Sequence, residues 1–284
     1  MGKPIYVIEN LVDLSSLCCV SSEDPVYTME NLYCERPSKP MRFTGVGAAG
    51  NPEWICVTLA SGQPVSFVGI FNHNLSAMVA AGDELRLKGC DGGCPVSGAA
   101  SGAICDWDIP NYELDLQPRL VTNFNNLYRK LLKTFLSWRL DIIDQNNADG
   151  YIEIGEFVLG ERHAFSRHVH LQPGRADGPI FNMGNRKTFY GQDWSVYLSD
   201  QERMVLRFKN LNNPNTYDEF HHFLRTVQRN SGRFILIPDD DHPFCYYFQI
   251  ENPSDYSQLL IHGIQELREQ QISLITLTKG IRLL

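Results

Sequence analysis

The chain has 284 residues, with 25 Lys and Arg against 33 Asp and Glu, for a net charge of −8. Hydrophobic residues make up 43% and charged residues 20%, the balance of a folded globular chain and not of a disordered tail. The acidic surface argues against a partner held through phosphates, and no apolar run reaches the roughly 18 residues that span a bilayer, so neither a specific nucleic acid nor a membrane is an expected partner.

The opening Met1-Gly-Lys-Pro-Ile5 lacks the apolar stretch of a signal peptide, and Tyr6 stands where a myristoylation signal wants Ser or Thr. Synthesis in a reducing cytoplasm is expected. The eight cysteines are Cys18, Cys19, Cys34, Cys56, Cys90, Cys94, Cys105 and Cys245. Cys56 and Cys245 lie in apolar runs, where a free thiol packs as a small hydrophobe.

Period-two alternation dominates the chain. Trp54 to Leu59 reads as a strand, and Pro64 to Phe71 as one buried on both faces. Glu84 to Lys88 alternates. Gly89 to Gly102, rich in Gly, Ala and Ser, reads as a loop. Asn125 to Leu136 is expected as a short helix, and Trp138, Leu140 and Ile142 as one face of a strand. Gln145 to Gly150 is a turn leading into a strand over Tyr151 to Leu159. The stretch 161–185 is poor in apolar residues and carries Pro173, Gly174, Gly178, Pro179 and Gly184, the marks of a boundary. Beyond it, strands over 194–198 and 204–208 precede one helix. Thr216-Tyr-Asp-Glu219 has capping-box spacing, Tyr217, Phe220, Leu224 and Val227 share a face, and Gly232 is a terminator. Strands follow over 233–237 and 244–250, then near 258–265 and 271–278.

Each motif with chemical potential has a plainer reading. Placing Gly150 at the sixth position of an EF-hand loop puts Gln145, not Asp, at the first, and the flanks are strands; a hairpin turn accounts better for the segment. Asp144, Asn147 and Asp149 are the candidate ligands of a weaker cation site there. His163, His168 and His170 lack a carboxylate or thiol at matching spacing and read as solvated histidines. His221 and His222 point to different helix faces, so at most one faces the core. Cys90, Cys94 and Cys105 read as loop thiols, or as one disulfide formed after release from the cell, since C-x3-C without a second pair is a weak zinc signal. Asp239, Asp240 and Asp241 stand between Pro238 and Pro243 as turn residues. No nucleophile elbow, zincin, Walker or dinucleotide motif is present, so no catalytic activity and no cofactor are expected.

Two resemblances organise these segments. Asn31-Leu-Tyr33 with Arg36 to Gly45, Trp54 to Leu59, Val65 to Leu75, Leu85 to Gly89, Trp138 to Ile142 and Asp149 to Gly155 form a series. It resembles the galactose-binding-like (discoidin-type) jelly roll often fused into tailed-phage virion proteins. The second half, with Phe220, Phe223 and Leu224 followed by Gly232 to Pro238, is similar to the tail-tube and distal-tail fold. The resemblance implies a mainly β chain: a galactose-binding-like β-sandwich over 1–165, a linker over 166–185, and an α+β tail-tube-like sandwich with one helix over 186–284.

It also implies a structural protein of a phage tail tip, a distal tail or minor tail protein. Such a protein forms a ring, of six copies or three, between the tail tube protein and the hub and receptor-binding proteins. It is assembled in the host cytoplasm and resident in the virion. The final strands, with Leu259, Ile261, Ile272 and Leu274, are the expected ring interface. The rival reading is a carbohydrate-binding module for a host-surface glycan, with Tyr33, Trp107 and Tyr112 as candidate contacts. A third, a glycan-cleaving enzyme, needs a carboxylate pair at a defined separation.

Overall fold

The computed structural model describes residues 3–13, 15–33, 39–76, 81–94, 105–116, 126–165, 169–173, 180–187, 193–201, 203–209, 213–229, 232–237, 245–250 and 269–276. Leu259, Ile261, His168 and Asp239 to Asp241 lie outside them, as does most of the expected loop after Gly89. In chain order the strands are β1 (Ile5–Val7), β2 (Ser15–Val20), β3 (Met41–Arg42), β4 (Glu53–Phe71), β5 (Glu84–Cys90), β6 (Tyr112–Asp115), β7 (Asn126–Ile143), β8 (Glu153–Ile154) and β9 (Glu156–Gly160). They continue with β10 (His163–Ala164), β11 (Val169–Pro173), β12 (Ile180–Lys187), β13 (Asp193–Gln201), β14 (Arg203–Lys209), β15 (Arg233–Ile237), β16 (Tyr246–Ile250) and β17 (Glu269–Thr276). A short 3-10 helix spans Met29–Tyr33, and α1 spans Pro214–Arg229. The chain is mainly β, as its alternation requires.

Two compact units share it: residues 9–161, and residues 1–8 together with 162–284. This division differs from the expected 1–165, 166–185 and 186–284 in two places. The first strand belongs with the later part of the chain, because β1 pairs with β15 and β10. The expected linker carries β11, which pairs with β14, and the start of β12.

In the 9–161 unit, β4 and β7 run the length of a β-sandwich and serve both of its sheets. A straight strand of 19 residues would reach about 60 Å. The end of β4 meets the loop before β9, where Gly155 N–H bonds Phe71 O. The β4–β7 register breaks between Thr58 and Gln63, beside exposed Ala60 to Gly62, and there the strand bends. The first half of β4 pairs with β2 and β7, and the second with β9 and β7. Ile55, Val57, Leu59, Val65, Val68, Ile70, Leu85, Leu87, Trp138, Leu140 and Phe157 then close one core.

The expected helix over Asn125–Leu136 is the first half of β7. Leu127, Leu131 and Phe135 are four apart, a spacing that suits a helix and also one face of a strand. Pairing with β4 decides the matter: Leu131 is 9% exposed and its neighbour Leu132 76%.

In the other unit a seven-stranded antiparallel sheet runs β10-β1-β15-β16-β17-β14-β11, and β12 pairs with β13 as a separate hairpin. Helix α1 starts earlier than the capping box proposed. Asn213 is its N-cap, with Asn215 N–H on its Oδ1 at 3.0 Å, and Pro214 takes the first helical position. Thr216 is buried in the first turn. Phe220, Phe223, Leu224 and Val227 are buried among Phe165, Phe208, Phe234 and Phe248, with edge-to-face ring pairs at 4.9 to 5.6 Å; Tyr217 stays half-buried. Gly232 follows the helix with φ +79°, and its N–H bonds Val227 O at 2.8 Å.

Candidate functional site

Short strands β3 and β8 pair Met41 with Ile154 and Arg42 with Glu153. Alternation sends Met41 and Ile154 into the core, both 0% exposed, and leaves Arg42 and Glu153 on the outer side. Arg42 donates from Nε at 3.0 Å and from Nη2 at 2.6 Å to Glu153 Oε1. The rings of Tyr27 and Tyr151 each lie 4.1 Å from its guanidinium carbon. Both tyrosines are half-buried. Burial works against the Arg42 charge, but the hydrogen bond and charge of Glu153 outweigh it and hold the proton more firmly than usual.

Asn74, three residues beyond β4, ties these loops together. Its Nδ2 donates to Asp149 Oδ2 at 2.9 Å and to Tyr151 O at 3.0 Å, and its Oδ1 accepts Glu153 N–H at 2.6 Å. Arg42, Glu153, Tyr151 and Asn74 lie in segments that the jelly-roll series contains. Their convergence, and the part of Tyr27, needed the fold, because no local pattern joins residues so far apart in the chain.

The turn with Asp144, Asn147 and Asp149 adjoins this patch. Asp144 is fully buried, and donors surround its carboxylate: Ser76 N–H at 2.8 Å and Asn147 Nδ2 at 3.0 Å on Oδ2, and the Ser76 hydroxyl at 2.5 Å on Oδ1. Asn147 Oδ1 accepts Asp149 N–H, and Asp149 Oδ2 takes the amide of Asn74. N–H and O–H groups thus bond both carboxylate oxygens of Asp144 and Oδ2 of Asp149. Gly150, at φ +74°, turns the chain into β8; β8 pairs with β3 and not with β7, so the segment is a turn between two sheets and not the expected hairpin.

A second cluster lies on the outer face of the sheet. Trp138, Leu140 and Ile142 of β7 face the core, so Arg139 and Asp141 face away. Asp141 is 1% exposed and bridges Lys88 Nζ at 2.7 Å and Arg139 Nε at 2.5 Å. The Arg139 guanidinium stands 5.1 Å from the Trp54 ring and 6.0 Å from the Trp107 ring. Beside them Cys56 is bonded to Cys94, and Cys90 to Cys105. This corrects the expectation of a free Cys56 and of loop thiols or one disulfide. The Cys56–Cys94 bridge spans 38 residues, a pairing spacing could not suggest. Cys245 is a free, buried thiol, as its apolar run implied.

The candidate glycan contacts fall apart into separate packing roles. Trp107 is 6% exposed among the disulfides. Tyr112 stacks on Phe135 at 5.8 Å, with Trp138 at its edge. Tyr33 packs half-buried on the sandwich core, and burial, followed by the nearby Cys18, Glu30 and Asp13, raises its phenol. Ile272 and Leu274 lie in β17, which is flanked by β14 and β16. Its pairing with β14 runs from Glu269 to Ile275, whereas its pairing with β16 covers Leu274 to Thr276; among the described residues β10 and β11 end the sheet. His163 is exposed and stacks on Tyr6. Neither His221 nor His222 is buried.

No family model matches the chain, and no curated protein does. Among solved structures it is similar to a chitosan-binding module of a chitosanase/glucanase from Paenibacillus sp. IK-5, at 16% identity and a TM-score of 0.36, covering 54% of this chain and 99% of that one. A Streptococcus pneumoniae fucose binding module gives 12% identity and a TM-score of 0.37 over 54% and 98%. A family 32 carbohydrate-binding module of C. perfringens, in complex with galactose, gives 12% and 0.35 over 55% and 99%.

Proposed function

We propose that residues 9–161 are a non-catalytic carbohydrate-binding module whose ligand face is the loop patch around Arg42. The observation that carries this reading is the grouping of two half-buried tyrosine rings, a guanidinium, a carboxylate and an amide within one set of loops. A sugar offers C–H faces that pack on aromatic rings and hydroxyls that both donate and accept. Arg42 gives two of its five N–H donors to Glu153. The others match hydroxyl oxygens. Screening the full chain on a glycan array is the test, followed by titration of a hit against Tyr27→Ala and Tyr151→Ala. Affinity should fall about tenfold or more in each. A hit whose affinity neither substitution changes, or an array without hits, would refute the proposal. Turnover of a capsular polysaccharide would promote the enzymatic reading.

A second reading concerns the whole chain: a structural component of a phage tail tip, with the unit of 1–8 and 162–284 forming a ring that joins tube, hub and receptor-binding proteins. What favours it is the β12–β13 hairpin, whose strands pair only with each other among the described residues. A two-stranded ribbon is marginal in water and gains stability against a partner surface. Mass measurement and imaging of assembled tails decide this. Six or three copies around the tube axis support it, and a monomer on a peripheral fibre overturns it. The two readings are compatible, since a ring can carry a sugar-binding module outward.

A further inference from the structure

We propose that Cys19, Cys56 and Cys94 form a three-sulfur exchange relay, in which the Cys19 thiol displaces Cys94 from Cys56 and exchanges a loop-to-strand disulfide for a strand-to-strand one. The sulfur atoms of the three residues all lie within 4.8 Å of one another. Two are already bonded, so the third is a nucleophile stationed at a disulfide. A separate observation comes from the sheet: Cys19 of β2 and Cys56 of β4 are direct partners in the antiparallel register. Directly opposed residues of such a pair have Cα atoms about 4.5–5.5 Å apart, inside the range a disulfide bridges. The alternative bond therefore fits the existing backbone. The Cys19 thiol also donates to Cys56 O at 3.7 Å, which holds it beside the sulfur it would attack.

The step balances without a co-reactant. Cys19 loses its proton to solvent, and its thiolate attacks Cys56 Sγ. The S–S bond to Cys94 breaks, and Cys94 leaves as a thiolate that takes up a proton. One disulfide and one thiol exist before and after. Burial raises the Cys19 thiol, and the Arg139 guanidinium pulls against that rise, favouring the anion. Cys18, the next residue, is no substitute. It packs against the sandwich core, and burial, with Cys19 second, pushes its thiol up to about 12.

The exchange changes what holds Cys94. In the starting state a covalent bond ties it to β4, beside the N–H it donates to Thr58 Oγ1 at 3.0 Å. Afterwards the Thr58 contact remains without the bond, while Cys90–Cys105 is untouched. Cys94 then offers a new thiol beside Trp107 and the Lys88–Asp141–Arg139 cluster.

The full chain, oxidised in glutathione buffer and transferred to thiol-free buffer at pH 8, tests the proposal. After acid quench, denaturation and alkylation, peptide mapping reads the pairings. The expected result is two populations: Cys56–Cys94 with alkylated Cys19, and Cys19–Cys56 with alkylated Cys94. Cys19→Ser should abolish the second, and Cys18→Ser should leave both, each variant keeping the wild-type melting temperature within a few degrees. Cys56–Cys94 alone with Cys19 fully alkylated overturns the proposal. So does failure of the Cys56–Cys94 bond to form in the oxidising buffer, or a second population that survives in Cys19→Ser.

Discussion

Replacing Asn10 by Ala should be among the most damaging single changes in the 9–161 unit. Asn10 is only 9% exposed, and its amide serves three backbone groups. Its Nδ2 donates to Phe157 O at 3.0 Å, and its Oδ1 accepts Val12 N–H at 3.1 Å and Leu159 N–H at 3.2 Å. The side chain thus pins the start of the unit to β9, near its end. Alanine leaves one carbonyl and two N–H groups without that partner in a buried setting. At about 1–2 kcal/mol for each group stranded, the loss is about 3–6 kcal/mol, a large part of the roughly 5–15 kcal/mol that stabilises a domain. Asn10→Asp keeps both accepted bonds but sets a carboxylate against Phe157 O, so it should cost more than a surface change and less than alanine. Urea denaturation followed by tryptophan fluorescence measures this well, because Trp138 is wholly buried in the same core. With a slope of about 2 kcal/mol per molar, the midpoint should fall by roughly 2 M for alanine. A loss under about 1 kcal/mol for Asn10→Ala would refute the reasoning and mean that water replaces the amide.

Three further outcomes are expected. Gly47 sits at φ +75°, and a Cβ there would meet Ile142 O at 2.5 Å, whereas Gly50, at φ +77°, has nothing within 4 Å; in thermal denaturation Gly47→Ala should cost about 1–3 kcal/mol more than Gly50→Ala, which carries only left-handed strain of about 1 kcal/mol. Leu224, fully buried in α1, should cost about 2–5 kcal/mol as alanine, and a loss under about 0.5 kcal/mol would contradict its packing. Burial, followed by the charge of Glu219, pushes the Tyr6 phenol up to about 12 from its ordinary 10. Its contribution is complete below pH 10 and is lost as pH rises from 10 toward 12, because the unfolded chain releases that proton first; Tyr6→Phe should flatten this part of the stability curve, and equal alkaline slopes would count against it.

The sequence carried most strands plainly, because alternation is a local signal: 54–59, 84–88, 204–208 and 233–237 all fall in strands. It misled where a local signal serves two structures. The fourfold spacing of Leu127, Leu131 and Phe135 fits both periods, and only β4 chooses. Thr216 has the right partner at Glu219, but Asn213 before Pro214 captures the first turn. The site was harder to read. Arg42, Tyr151 and Tyr27 gain their meaning from the β3–β8 pair, and nothing in two-residue strands announces such a pairing. The disulfides were hidden for the same reason, since Cys56 reads as an apolar strand residue until Cys94 folds back over it.

Strand β1 sets a problem of timing. Ile5 pairs with Ile237, so β1 leaves the ribosome well over two hundred residues before its principal partner. At about 5–20 residues per second, that partner arrives roughly ten to fifty seconds later. Meanwhile the whole of 9–161 is synthesised, and it holds a core of its own. During the wait Ile5, Tyr6 and Val7, all destined for burial, are exposed beside an already folding neighbour. Such an apolar strand invites pairing with other nascent chains. Its length of three residues limits that hazard, and the same brevity makes β1 dependent on β15 for its place in the sheet.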